Sequence, residues 1–334
     1  MMFMKCLYAL ILLLLWTPPS FAAVLFEENE VIEARLTGPL DSVFEDSEQR
    51  EEQLFQINVG GTDIPVKVRM RGKSRARICA FPPLRLNFTG SDTGNTVFAG
   101  QEKLKLVTHC RNGDGGDTSL LEEYATYRIF SLLSDNSFRV RLLHISYEDS
   151  GANVKQQYGF VIEPAKQLLA RTGGEWAKLP GVRLSRLDDK QEALVYVFQY
   201  LIGNTDWSLV TAEGSETCCH NVDLLELDSE LYPVPYDFDL SGLVKAAYAK
   251  PDASLHIKSV RQRRYRGYCM DNEALAGAVR WIQSKQAEIL QVFEELPDYP
   301  DKAKTDNVKY LKQFFDMAEN EPKLIKSFAK YCLE

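Results

Sequence analysis

The chain has 334 residues, a formal net charge of −8 and a hydrophobic fraction of 45%. That length and apolar content suffice to bury one large core or two joined ones. The acidic balance argues against nonspecific binding to nucleic acid, whose phosphate backbone demands a positive surface.

The first residues carry a targeting pattern. Lys5 supplies a short positive region, residues 7–16 (LYALILLLLW) are apolar, and Pro18 and Pro19 precede a small-x-small Ser20-Phe21-Ala22 pattern. This predicts a secretory signal peptide over residues 1–22, with an uncleaved membrane anchor as the alternative. No later stretch approaches the ~20 apolar residues of a transmembrane helix. A periplasmic or secreted location is therefore expected, with no membrane span after cleavage. Beyond Cys6, the cysteines are Cys79, Cys110, Cys218, Cys219, Cys269 and Cys332. An even number in an exported chain predicts disulfides, with the pairing left open. The neighbours Cys218 and Cys219 are not expected to bond to each other across one peptide unit. Cys218-Cys219-His220 also lacks the C-x-x-C spacing of zinc sites.

In chain order, residues 31–36, 53–59, 64–70, 84–88 and 103–107 read as strands, with period-two alternation as in IPVKVRM and KLKLV. A helix over 119–132 follows, opened by a Ser119–Glu122 capping box, with Leu121, Ala125 and Leu132 on one face. Residues 140–147 and 157–162 form an expected hairpin. The next helix has Asp189 and Glu192 as its capping pair and stops at Gly203. Strands at 222–227 and 232–236 lead into Asp237-Phe238-Asp239, and residues 272–296 and 308–331 read as two terminal helices. With no repeat or low-complexity linker, the pattern is α+β and two-lobed. The expected division is a β-rich lobe over 23–165, an antiparallel sheet plus a helix, and a mainly helical lobe over 166–334 that carries a hairpin.

Three polar groups stand at element ends in the second half. Asp206 follows the Gly203 helix stop, Asn221 precedes the first hairpin strand, and Asp237 and Asp239 follow the second. A hairpin returns to its origin, so Asn221 and Asp237 should share one end of it, with Asp206 entering from the adjoining loop. A few hard oxygen ligands, completed by substrate phosphates, are what magnesium on a triphosphate needs. The order Asp, Asn, Asp-Phe-Asp is also the working order of phosphoryl-transfer kinases. Singly, each is an ordinary turn or cap residue, and the signal lies in their order. No Gly-rich phosphate loop accompanies them.

The segments VRMRGKSR (68–75) and FPPLRLNF (81–88) resemble the opening of CotH-type spore-coat kinase domains. LLEEYATYRIFSLL, FRVRLLHISYED and YGFVIE are similar to that family's central helix and hairpin, and GNTDWS, His220-Asn221 and PYDFD to its catalytic-loop and metal-binding segments. The resemblance covers residues 66–242 and implies a protein-kinase-like fold. It further implies ATP and Mg or Mn as cofactors, with phosphate transfer to a hydroxyl of an unknown envelope or secreted protein. Asp206 would be the catalytic-loop Asp, Asn221 and Asp237 metal ligands with Asp239 beside them, and Glu123 the helix Glu that pairs a phosphate-binding Lys. The chain departs from the family at Phe81-Pro82-Pro83, where lysines are usual. The base is therefore sought among Arg71, Lys73, Arg85, Lys103 and Lys105. Two rival readings stay open: a pseudokinase or envelope binding module, which the scarcity of ATP outside the cytoplasm favours, and a metal-dependent phosphohydrolase. His109 and His220 read as structural. Arg261, Arg263, Arg264 and Arg266 read as a solvated basic face.

Overall fold

The computed structural model describes residues 24–46, 48–111, 114–149, 152–209 and 217–334. The signal-peptide expectation lies outside them, as does the stretch 210–216 of the loop between Asp206 and Asn221.

The alternating segments form strands because each can bury one face. Strand β1 spans Ile32–Thr37, β2 Gln53–Val59, β3 Thr62–Met70, β4 Leu84–Asn87, β5 Lys103–Val107, β6 Val140–Asp149 and β7 Ala152–Ile162. In β3, Ile64, Val66, Val68 and Met70 are buried while Lys67 and Arg69 turn outward. The antiparallel sheet expected from the sequence is instead a closed barrel in the order β1-β2-β3-β4-β5-β7-β6. Closure comes from β1, which pairs antiparallel with β2 and parallel with β6, placing Ile32 opposite Leu143. It removes the open edges and wraps Phe55, Leu84, Leu86, Leu104 and Leu143 into one core.

Among the described residues, this half carries helices α1 (Val24–Glu27), α2 (Leu40–Glu45), α3 (Arg75–Ile78) and α4 (Asp114–Leu133). Helix α4 begins before Ser119, so Ser119 and Glu122 lie inside it and form no capping box. The Ser119 hydroxyl turns back to the Gly115 carbonyl, 3.4 Å away. The Glu122 carboxylate is buried and accepts from Tyr299 at 2.8 Å and Asn307 at 2.9 Å. Long-range partners, absent from any local pattern, decide what this glutamate does.

A second core is organised by α6 (Asp189–Ile202), which follows the short α5 (Ala165–Thr172). The Asp188 side chain caps α6 by accepting from the Gln191 N–H, and Gly203 ends it at φ 66°, a conformation that favours glycine. A three-stranded sheet runs β10-β9-β8, with β8 at Glu175–Trp176, β9 at Val222–Leu227 and β10 at Glu230–Pro235. Strands β9 and β10 form the expected hairpin, Val222 opposite Pro235.

The two expected terminal helices are four: α7 (Asn272–Ser284), α8 (Gln286–Glu294), α9 (Asp301–Ala318) and α10 (Glu321–Phe328). Asn320 caps α10, with a proline in its first turn, and this interrupts the apolar pattern that read as continuous. The basic run is no solvated face. Arg263 and Arg261 lie 3.7 and 4.1 Å over the Tyr310 ring. Arg263 also donates to the Leu201 and Tyr310 carbonyls, and Arg266 to that of Thr205. Planar guanidinium groups can stack and satisfy helix-end carbonyls at once, so these arginines fasten the segment to α6 and α9.

Three cysteine pairs stand at disulfide distance: Cys79–Cys110, Cys269–Cys332 and Cys218–Cys219. The last corrects the expectation for the neighbouring pair, whose Cα atoms lie 3.0 Å apart and let the sulfurs meet. Among the described residues, no helix is long and apolar enough to cross a membrane.

Candidate functional site

Where β3 ends, the chain turns at Gly72 with φ 93° and enters α3, whose first residue is Arg75. This side chain is buried, and its residue is only 8% exposed. Its Nη1 and Nη2 donate to the two carboxylate oxygens of Glu123 on α4, at 3.0 and 2.8 Å. Nη2 also reaches Asp237 Oδ1 at 2.9 Å, and Nε reaches Asp239 Oδ2 at 2.9 Å. One guanidinium thus joins the barrel's exit, the long helix and the acidic turn after β10. Burial opposes its charge, but Glu123, Asp239 and Asp237 outweigh that and hold its pKa well above the ordinary value. Burial pushes Glu123 up and raises Asp239 to about 7, with Arg75 pulling the other way in both. A buried charge of this kind persists only when paired and hydrogen-bonded.

The hairpin brings its two ends together, as the sequence suggests. The Tyr236 N–H donates to the Asn221 carbonyl at 3.1 Å, so Asn221 and Asp237 sit at one end. Both adopt positive φ, 54° and 59°. The Asp237 N–H donates to the Tyr127 hydroxyl at 2.9 Å, a second tie to α4. Asn221 Nδ2 donates to the Asp206 carbonyl at 2.7 Å and to Asp206 Oδ2 at 2.9 Å. The other carboxylate oxygen meets His220 Nε2 at 2.9 Å. That bond to Asp206, first among the causes, raises the imidazole above its ordinary pKa. His220 is therefore the orienting partner of Asp206.

Beside this array lies a polar cavity of about 110 Å³, lined by Arg71, Lys73, Arg75, Lys105, Glu123, Asp223 and Asp237 among others. Desolvation draws Arg71 and Lys105 below their usual values and pushes Asp223 up. Of the sequence candidates, the structure gathers Arg71, Lys73, Lys105, Glu123 and Asp237 here. Asp206 and Asn221 form the adjoining pair. Arg85 lines a neighbouring cavity with Arg50 and Arg69. Lys103 stands farther along β5, opposite Asn87, and lines neither. Asp239 lies behind Asp237, held by Arg75 and by the Tyr248 hydroxyl at 2.9 Å.

Sequence reasoning missed Arg75 as the partner of Glu123, although it closes the quoted VRMRGKSR segment just after the candidates Arg71 and Lys73, because its partner lies 48 positions away and no local pattern marks the contact. It also missed Asp223, whose place in the alternating β9 (VDLLEL) marks it as facing away from the core.

A divalent ion with a triphosphate needs few protein ligands. Asp237 fits, with half of its side chain exposed (50%) at the cavity. Asn221 fits through Oδ1, since its Nδ2 is committed to Asp206. Asp239 fits less well, because its side chain is 9% exposed and occupied by Arg75 and Tyr248. No group of three or more His, Cys, Asp or Glu side chains is arranged for a metal among the described residues.

No family model matches the chain, and no curated protein matches it. In structure it is similar to the Helicobacter pylori proinflammatory kinase CtkA, at 11% identity over 72% of this chain and 94% of that one, with a TM-score of 0.43. The overlap is partial at that score, and the chemistry of the cleft stands on its own residues.

Proposed function

We propose that the cleft binds a nucleotide triphosphate with Mg or Mn and transfers its terminal phosphate to a protein hydroxyl, in a kinase-like arrangement. What supports this most is the meeting, at one end of the β9–β10 hairpin, of the Asp206–Asn221 pair and Asp237 beside a cavity rimmed by Arg71, Lys73 and Lys105. The cations would draw in the phosphates, and the Arg75 fork would fix α4 against Asp237. Asn221 and Asp237 would hold the metal, which when bound neutralises phosphate charge. Asp206, steadied by His220 and Asn221, would accept a hydrogen bond from the attacking hydroxyl and orient it. The three cysteine pairs favour an oxidising compartment, so we assign the protein a periplasmic or secreted setting and an envelope or secreted protein as acceptor.

A second reading has its own observation. Arg75 engages both Asp237 and Asp239, offsetting the carboxylate charge a metal would use, which favours a binding module without catalysis. Incubation with γ-labelled ATP and Mn separates the readings. Label on protein, lost in Asp206→Asn, supports the kinase; label released only as free phosphate supports a phosphohydrolase. Nucleotide binding without release of label supports the binding module.

A further inference from the structure

On the outer face of the barrel, three cations stand in one cross-strand row. Arg69 on β3 is directly opposite Arg85 on β4, and Arg85 is directly opposite Lys105 on β5. Adjacent strands lie ~4.8 Å apart, so these charges are close neighbours. Like charges in directly opposed positions destabilise a sheet. A sheet position normally answers such a charge with an acid, yet Arg69, Arg85 and Lys105 make no ion pair within 4.0 Å among the described residues. The nearest acids are otherwise disposed. Glu52 accepts from Asn87 Nδ2 at 3.0 and 2.8 Å, while Asp223 and Asp237 influence Lys105 only from the hairpin side.

The row is not a flat surface. With Arg50, Arg71 and Lys73 it lines a cavity of about 270 Å³ in which every charged side chain is positive, within a chain of net charge −8. Its far wall is fixed, because Arg50 Nη1 donates to the Gly72 carbonyl at 2.7 Å. Local rules broken without an internal compensation mark functional positions. Guanidinium groups held side by side make two-pronged contacts to phosphate oxygens.

We propose that this groove on β3, β4 and β5 is an anion-binding site that adjoins the cleft, shares Arg71, Lys73 and Lys105 with it and extends it by Arg50, Arg69 and Arg85, taking a compact ligand that carries several phosphate groups. The row of three cations matches a run of closely spaced phosphates better than one isolated anion, which would leave repulsion at either end. Arg69 and Arg85 line the groove and not the cleft, so substitution there tests this site apart from the nucleotide reading.

Inorganic tripolyphosphate is the probe, titrated calorimetrically without metal into the full chain and into an R69Q/R85Q variant, with thermal melting of both. The expected result is binding to the wild type that weakens by about tenfold or more in the variant. The unliganded variant should melt at the same temperature or higher, because the like-charge row is relieved. Equal affinity in the two proteins, or no binding to the wild type, overturns the proposal. A variant that melts lower is replaced by R69K/R85K, which keeps the charge but loses the fork and should again bind more weakly; unchanged affinity there also overturns it. If ATP with Mn fails to bind the wild type while tripolyphosphate binds, the cleft reading falls and this one stands.

Discussion

Arg75 and Glu123 meet through two parallel hydrogen bonds of 3.0 and 2.8 Å, and the same guanidinium reaches Asp237 at 2.9 Å. The long helix and the acidic turn are therefore locked to one cation. Any substitution at Arg75 acts on the fold and on the cleft together.

Replacing Arg75 with Met leaves Glu123 and Asp239 buried without a counter-charge. A loss of about 3–5 kcal/mol is expected in urea unfolding. Arg75→Lys keeps the charge but not the fork and should lose less. A change in Arg75→Met below ~1 kcal/mol would contradict the assignment.

Burial, opposed first by Lys245 and then by bonds from Tyr299 and Asn307, raises Glu122 to about 7. The folded state holds this proton more tightly than the unfolded chain does, so the contribution is full below the ordinary value of 4.5 and is lost as pH rises towards about 7. Glu122→Gln keeps the acceptor oxygen for Tyr299 and Asn307 without the charge. It should stabilise by ~2 kcal/mol at pH 8 and be near neutral at pH 4.5. Urea midpoints for both proteins across that range check this, and parallel pH profiles would refute it.

His220 is held above its ordinary pKa of 6.5, chiefly by its bond to Asp206. Its contribution is full below 6.5 and fades as pH rises through the folded value. In Asp206→Asn the imidazole should titrate closer to 6.5, as read from its ring proton by NMR. The same variant should lose phosphate transfer by about 10²–10⁴-fold while keeping nucleotide affinity. An unmoved His220 titration would separate the two residues.

Cys269–Cys332 ties the chain's end to the segment before α7 across a sequence separation of 63. Cys332→Ser should cost about 2–4 kcal/mol in thermal unfolding under oxidising conditions. Equal stability of the two proteins there would show that the cross-link is not formed.

Much of the fold was legible in the sequence because its signals are local. Period-two runs marked the strands, Gly203 marked the end of α6, and the β9–β10 hairpin by itself brings Asn221 beside Asp237. What stayed hidden depends on partners far along the chain. Nothing near β1 announces its parallel pairing with β6, so a sheet was expected where a barrel forms. Ser119 and Glu122 fit a capping box, but Tyr299 and Asn307 give the glutamate another task. The arginines at 261–266 read as solvent-facing until Tyr310 arrives from α9. Arg75 escaped notice because its partners Glu123 and Asp237 lie 48 and 162 positions away.

Calorimetry can test the proposed role of Asp237 as the anchor of a metal-bound nucleotide in the cleft. ATP would be titrated into the oxidised full chain with and without Mn, beside Asp237→Ala. That role predicts binding to the wild type that requires Mn and disappears in the variant. Absence of binding to the wild type at millimolar ATP, or binding that Asp237→Ala leaves intact, would contradict it.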